Sequence, residues 1–409
     1  MESHRMKAGA CKCEPASPMR SNGKYRVLSL MLSLILSLML LIACQGDAGT
    51  APAAQTGATF SAVAASGHAS CGLTTDGVVY CWGDVSLGID LVGTSVSNTP
   101  VRFDRQGALR FASLSVGGTH ICGLTAEGAA FCWGDNTAGQ LGNGTNTSSY
   151  APVAVVGGHT FGMLSAGGVH TCGLTLAGAV YCWGAHPGDG VPGYHKNSAP
   201  VSIVGGRTYI AVSAGVQHAC ATATTGDVYC WGDNQGGQLG DGTGSYFERT
   251  TPVRALGGIA FASVSSGGVH TCALTADGTA YCWGNNTFGR VGSGLPITAL
   301  TPQQVATNVR FSSIVAGAQH TCAIALSGGA YCWGYNIQGQ GGTGTTNSEI
   351  VAPTAVSGNR AMKWLALGHN HTCGITVDGT AYCWGLNANG QLGDGTTTNR
   401  RQPSLVARP

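Results

Sequence analysis

Two hydrophobic patterns organise the chain. The first is a single uncharged run, Val27–Ala43, rich in leucine, methionine and isoleucine and preceded by Arg20, Lys24 and Arg26. The second begins near Phe60 and consists of short apolar bursts separated by glycine-containing turns. The stretch His120-Ile-Cys122-Gly-Leu-Thr-Ala-Glu-Gly128-Ala-Ala-Phe-Cys132-Trp-Gly134 reads as two strands around a turn. Side chains alternate between faces along a strand. His120, Cys122 and Leu124 therefore share one face, while Gly123, Thr125, Phe131 and Trp133 share the other. Neither face is charged, so both must be buried. A free-standing antiparallel sheet keeps one face wet, whereas sheets packed face to face around an axis bury both. Pro-Val-x-Val and Phe-Ala-Ser-Val-like segments supply two further strands, which makes each unit four-stranded.

The unit occurs seven times. Its marks are cysteine pairs ten positions apart: Cys71 and Cys81, Cys122 and Cys132, Cys172 and Cys182, Cys220 and Cys230, Cys272 and Cys282, Cys322 and Cys332, Cys373 and Cys383. The first cysteine recurs after 51, 50, 48, 52, 50 and 51 residues, and the second always stands in Cys-Trp-Gly. A three-residue turn ending on a glycine of positive φ would set the cysteines opposite each other. The glycines read into that position are Gly77, Gly128, Gly178, Gly226, Gly278, Gly329 and Gly379. These features predict an all-β fold, a seven-bladed propeller of four-stranded antiparallel blades over residues 60–409. The first unit lacks a proline segment ahead of it, and the chain ends with Gln402-Pro403-Ser404-Leu405-Val406. That C-terminal strand is expected to pair with the first blade and close the ring.

Composition narrows the function. Only 9% of the 409 residues are charged and 66 are glycine, against about 25% charged and about 7% glycine in an average chain. Such a chain is too apolar to be disordered. It also lacks the basic excess that a dedicated nucleic-acid binder needs. Six basic and two acidic residues precede Cys44, so the remainder carries 14 basic and 16 acidic side chains, a net charge of −2 (14 − 16).

The repeat carries a family resemblance. His-Thr-Cys-x-Leu-Thr-x-Asp-Gly-x-x-Tyr-Cys-Trp-Gly-x-Asn-x-x-Gly, continuing as Gln-Leu-Gly, is clearest between Gly268 and Gly289 and between Gly368 and Gly393. It resembles the regulator of chromosome condensation repeat over residues 60–406. The resemblance implies a seven-bladed propeller. Two units depart from the pattern. The first has Ala69 at the histidine position, with His68 displaced by one, and the third has His186-Pro-Gly-Asp-Gly-Val-Pro-Gly in place of Asn-x-x-Gly-Gln-Leu-Gly. Members of this family include a guanine-nucleotide exchange factor for a nuclear GTPase, a secreted bacterial inhibitor of β-lactamase and a plant ultraviolet-B photoreceptor. The photoreceptor uses extra clustered tryptophans, but here only Trp364 lies outside the repeat signature.

At the N-terminus, a positive flank before an apolar core is the layout of an export signal. Leu41-Ile42-Ala43-Cys44 looks like a bacterial lipobox, which implies cleavage before Cys44 and a lipid on its thiol. An uncleaved anchor or a plain secretion signal is the alternative. Gln45 in place of Asp implies, by the same resemblance, outer-membrane sorting. Residues 1–43 are thus expected to be a signal, with a possible start at Met19, and 44–59 a flexible tether.

The paired cysteines could be disulfides, metal ligands or free thiols. Export to an oxidising compartment and directly opposed partners favour disulfides, and no Cys-x-x-Cys knuckle suggests metal. Six histidines recur at one position (His120, His170, His218, His270, His320 and His371), as structural donors would. No nucleophile elbow, phosphate loop or paired-carboxylate motif is present, so neither catalysis nor a cofactor is expected. What remains is the non-repeating loops after Cys-Trp-Gly: 84–99, 185–196 and 241–251. Tyr194, His195, Lys196, Tyr246, Phe247, Glu248 and Arg249 there have the aromatic and charged character of binding surfaces. The expectation is a monomeric, lipid-anchored, non-catalytic protein-binding or scaffolding propeller in the bacterial cell envelope, with an unidentified protein partner. Guanine-nucleotide exchange and a hydrolase or lyase at the propeller axis are the alternatives.

Overall fold

The computed structural model describes residues 59–84, 96–103, 109–193, 195–295 and 298–409, without the side chains of Tyr246 and Phe247. The expected signal, the Cys44 anchor, nearly all of the tether, Tyr194 and most of the first-unit loop lie outside the described residues. Seven four-stranded antiparallel sheets follow one another along the chain. Blade 1 consists of β1 (Ala62–Ser66), β2 (Ala69–Leu73), β3 (Val79–Asp84) and β4 (Val96–Arg102). Blade 2 consists of β5 (Ser113–Val116), β6 (His120–Leu124), β7 (Ala130–Gly134) and β8 (Ser149–Ala154). The remaining five blades repeat this order.

The hairpin register follows from the turn. Thr125 N–H donates to Ala129 O at 3.0 Å, which makes 125 and 129 a hydrogen-bonded pair. Alternation then makes 123/131 hydrogen-bonded and 122/132 non-hydrogen-bonded, the closer kind of pair. Cys122 does face Cys132, and Gly123 faces Phe131. All seven cysteine pairs occupy this register and are joined as disulfides. The turn glycine of the sixth blade is Gly328, with φ of +89°, and not Gly329. Gly328 lies six residues after Cys322, the same offset as in every other blade, whereas Gly329 has no positive φ.

Both faces of the second and third strands are buried, because each disulfide is covered by the next blade. Cys122 and Cys132 of blade 2 pack with Phe161 and Trp183 of blade 3. Cys373 and Cys383 of blade 7 pack in the same way with Phe60 and Trp82 of blade 1. The tryptophans at these interfaces are at most 1% exposed.

Ring closure differs from the sequence expectation. The proline segment belongs to the hairpin that precedes it: Pro100 lies in β4 of blade 1, and Pro403 lies in Arg400–Leu405, the fourth strand of blade 7. Blade 1 therefore has its own fourth strand and needs no donated one. Among the described residues the ring closes through side chains and isolated backbone bonds. Phe60 N–H donates to Gly379 O at 2.9 Å, Trp82 Nε1 to Gln391 O at 3.0 Å and Trp364 Nε1 to Val63 O at 2.7 Å.

Candidate functional site

Most of the repeated polar residues are consumed by the joints between blades. His120 Nε2 lies 2.7 Å from Thr171 Oγ1 of the next blade. The corresponding pairs are His218–Thr271, His270–Thr321, His320–Thr372 and, across the closing joint, His371–Ser70, each at 2.8 Å. Each of these hydroxyls donates its proton to a loop carbonyl: Thr171 to Gln140 O, Thr271 to Gln238 O and Ser70 to Gln391 O. A hydroxyl has one proton to give, so the histidine Nε2 must be the donor toward it. That assigns these rings the Nε2–H tautomer. Burial holds His120 at about 4 and His218, His320 and His371 at about 3, so the rings are neutral at physiological pH.

The loop motif has an equally local use. Asn136 Oδ1 accepts the Leu141 amide at 2.9 Å, and Asn234, Asn286, Asn336 and Asn387 repeat the bond. The ordered loop then presents one carbonyl to the next blade. Gln140 O accepts from both Thr171 Oγ1 and Trp183 Nε1 at 2.9 Å. Histidine, threonine, tryptophan, asparagine and glutamine are thus one joint, built residue by residue.

Function falls to positions where the joint fails to repeat, and the joint between blades 3 and 4 is the clearest. His170 meets Ala219 where its siblings meet a hydroxyl, and both its ring nitrogens are buried without a hydrogen-bond partner. The shortened third loop keeps the backbone bond onto the next blade's fourth strand that other joints make, such as Gly144 N–H to Ser198 O, here onto the long strand Ser245–Arg254 of blade 4. Gly190 N–H donates to Thr250 O at 2.9 Å, and His186 Nδ1 pairs with Glu248. His186 holds a left-handed φ of +52°, unusual for a residue with a side chain.

Four of the sequence-predicted rim residues are placed by this structure. His195 Nε2 is 3.0 Å from Asp189 Oδ2, and Asp189 also accepts from Asn197 Nδ2 at 2.9 Å. Lys196 Nζ donates to Thr137 O of blade 2 at 3.3 Å. Arg249 pairs with Asp241 at 3.4 Å, and Glu248 with His186. The rim is therefore a cross-linked polar ridge over blades 2 to 4. Among the described residues the second ring nitrogen of His195 reaches only Gly193 O, at 3.4 Å, and no nucleophile completes a triad with the Asp189–His195 pair. Every cysteine of the described region is in a disulfide, which leaves no thiol nucleophile there. No group of three or more histidine, cysteine or carboxylate side chains is placed to hold a metal among the described residues.

A second feature escaped the sequence reading. The inner strand ends of all seven blades enclose an axial cavity of about 390 Å³, walled by glycine, alanine, valine and serine. Neighbouring blades are stitched around it by backbone bonds such as Gly118 N–H to Gly167 O at 2.9 Å and Gly268 N–H to Gly317 O at 3.0 Å. At its lip stand His369 of blade 7 and His68 of blade 1. Aligning the units on the Gly-Gly-x-His segment would have marked them, since His369 replaces residues such as Gly118, Gly168 and Ala318.

Known proteins share this architecture. The RCC1-like domain model matches residues 84–409, and the Regulator of chromosome condensation (RCC1) repeat model matches residues 60–88. Human E3 ubiquitin-protein ligase HERC2 is 30% identical over 350 residues, which are 84% of this chain and 5% of that protein. The Arabidopsis thaliana Ultraviolet-B receptor UVR8 is 30% identical over 170 residues, 42% of this chain and 28% of the receptor. The chain therefore spans a small part of these curated relatives. Among solved structures, yeast RCC1 (Prp20) bound to Kap60 superposes with a TM-score of 0.72 at 24% identity, covering 82% of this chain and 84% of that one. Human WBSCR16 gives 0.71 at 20% identity, with 81% and 94% covered. The joints, the blade count and the family match agree, and the chain belongs to the regulator of chromosome condensation repeat family.

Proposed function

We propose that this protein is an extracytoplasmic, lipid-anchored propeller that binds a protein partner through one rim and catalyses nothing itself. The observation that carries the reading is the blade 3–4 rim. The joint there lacks the histidine–hydroxyl bond of its siblings, and polar side chains are tied to one another instead of to the blade joints. Shared fold supports protein binding in general, since yeast RCC1 (Prp20) is seen with Kap60 bound. The ligase activity of HERC2 belongs to a protein of which this chain matches 5%, and it is not proposed here. Seven buried disulfides suit an oxidising compartment, and Leu41-Ile42-Ala43-Cys44 would supply the anchor.

The test is capture of a partner by the tagged full chain from envelope extracts, followed by cross-linking and mass spectrometry. Cross-links from Lys196 and loss of capture in the Tyr246→Ala/Phe247→Ala variant are expected. Unchanged capture by that variant counts against the rim. Accelerated nucleotide release from a purified small GTPase would favour exchange activity instead. The anchor is tested separately: Cys44→Ser should abolish incorporation of labelled fatty acid, and retained label would refute lipidation at that residue.

A further inference from the structure

We propose that His68 and His369 form a two-histidine site for a borderline divalent transition-metal ion of the Zn²⁺ class, bridging the first and last blades at the lip of the axial cavity. The two imidazoles come from opposite ends of the ring, yet their centroids are 6.0 Å apart with planes at 83°. A zinc–nitrogen bond of about 2.0–2.1 Å puts the metal about 3.2 Å from each ring centre, which at this separation gives an obtuse N–metal–N angle of about 140°. A small side-chain rotation narrows that angle toward tetrahedral, and both residues are exposed and free to make it.

The surroundings suit a metal better than the alternatives. Neither aspartate, glutamate, lysine nor arginine is among the described residues that line the cavity, so no ammonium or guanidinium there repels a cation. Although its side chain reaches solvent, His369 is partly desolvated, and that desolvation and the charge of His68 hold it below the usual histidine range. With two protein ligands the remaining coordination positions are left to water and a guest donor, one protein ligand fewer than the three of open zinc sites. In the other blades the position of His369 is taken by residues without a donor side chain, including Gly118, Gly168, Val216, Gly268 and Ala318. The pair thus lies at the seam between the last and first blades in chain order, where a bound ion would join blade 7 to blade 1 beside the His369 N–H to Gly67 O bond of 3.2 Å.

The full chain, stripped with chelator and titrated with ZnCl₂, tests this by equilibrium dialysis with metal analysis and by thermal midpoint. The expected result is one Zn²⁺ per chain that is lost in His68→Gln and in His369→Gln but kept in the control His159→Ala. Zinc should also raise the midpoint of the unsubstituted protein by several degrees at a hundredfold excess over Kd, as binding to the folded state alone requires. Equal zinc uptake by the two glutamine variants, or no uptake by the unsubstituted chain, overturns the proposal. The zinc-free midpoints of the variants serve as the folding check, since both side chains are exposed and their loss should leave the midpoint unchanged.

Discussion

At the residue scale, the six repeated histidines make the protein a proton-sensitive ring. Each is fully buried and neutral, with its pKa displaced below the ordinary 6.5 chiefly by burial, to about 4 for His120 and about 3 for His170, His218, His320 and His371. In the unfolded chain the same rings protonate near pH 6.5. The unfolded state therefore binds more protons than the folded one below that pH, and stability falls as pH drops from 6.5 toward 4. Each ring removes up to about 1.4 kcal/mol per pH unit in that window. Chemical denaturation across pH 4–7 should show a midpoint that falls steeply with acid, and a flat profile above pH 5 would contradict neutral, buried rings. The joint also predicts two substitutions of opposite sign. Thr271→Val should cost about 1–3 kcal/mol by orphaning His218, while Ala219→Thr should add about 1 kcal/mol by giving His170 the hydroxyl that its siblings have. Equilibrium unfolding of the two variants distinguishes these signs directly.

At the element scale, the hairpin is the unit that the sequence specifies most tightly. The ten-residue cysteine spacing, the turn glycine and the opposed small and aromatic residues all agree on one register, and that register is the observed one. The sixth blade is the informative exception, because two adjacent glycines, Gly328 and Gly329, both fit a turn by composition. Backbone geometry separates them. Gly328→Ala must place a side chain at φ of +89° and should cost about 1–2 kcal/mol. Gly329→Ala, with only Tyr331 Cε2 at 3.8 Å, should cost a few tenths of a kcal/mol. A thermal midpoint for each variant decides the point, and equal losses would refute the register. The proline strand was legible as a strand but not as to its owner. Its hydrogen-bond partner is the preceding hairpin, Cys81 with Val101 and Cys383 with Ser404, a choice that strand spacing alone leaves open.

At the scale of the whole molecule, the ring has five joints with the histidine–hydroxyl bond, two without it (Ala69 and Ile121 between blades 1 and 2, His170 and Ala219 between blades 3 and 4), and no donated strand. The closing joint reuses the same parts, with Ser70 for threonine, Phe60 beneath Trp82 and a loop carbonyl from Gln391. Closure should therefore be worth about as much as a complete internal joint such as that between blades 2 and 3. Phe60→Ala at the seam and Phe111→Ala between blades 1 and 2 remove equivalent, nearly fully buried rings, and each should cost about 3–5 kcal/mol. If Phe60→Ala were far milder, by urea denaturation, the seam would be a weak point that the ring tolerates open. Candidate sites also become visible only at this scale. The rim of blades 3 and 4 was readable as loops that break the repeat, although its internal pairing was not. His68 and His369 could each be marked by aligning the repeats, but their meeting at the axial mouth was not readable, since 301 residues separate them.

The division of information follows from range. Repeat count, strand identity, disulfide partners and two-sided burial are set by neighbours within about fifty residues, so composition and spacing along the chain determined them. Which hairpin owns the proline strand, how the ends meet and which side chains share the axial mouth depend on contacts between distant blades. Those contacts are fixed by the curvature of the closed ring, and only the tertiary structure decided them.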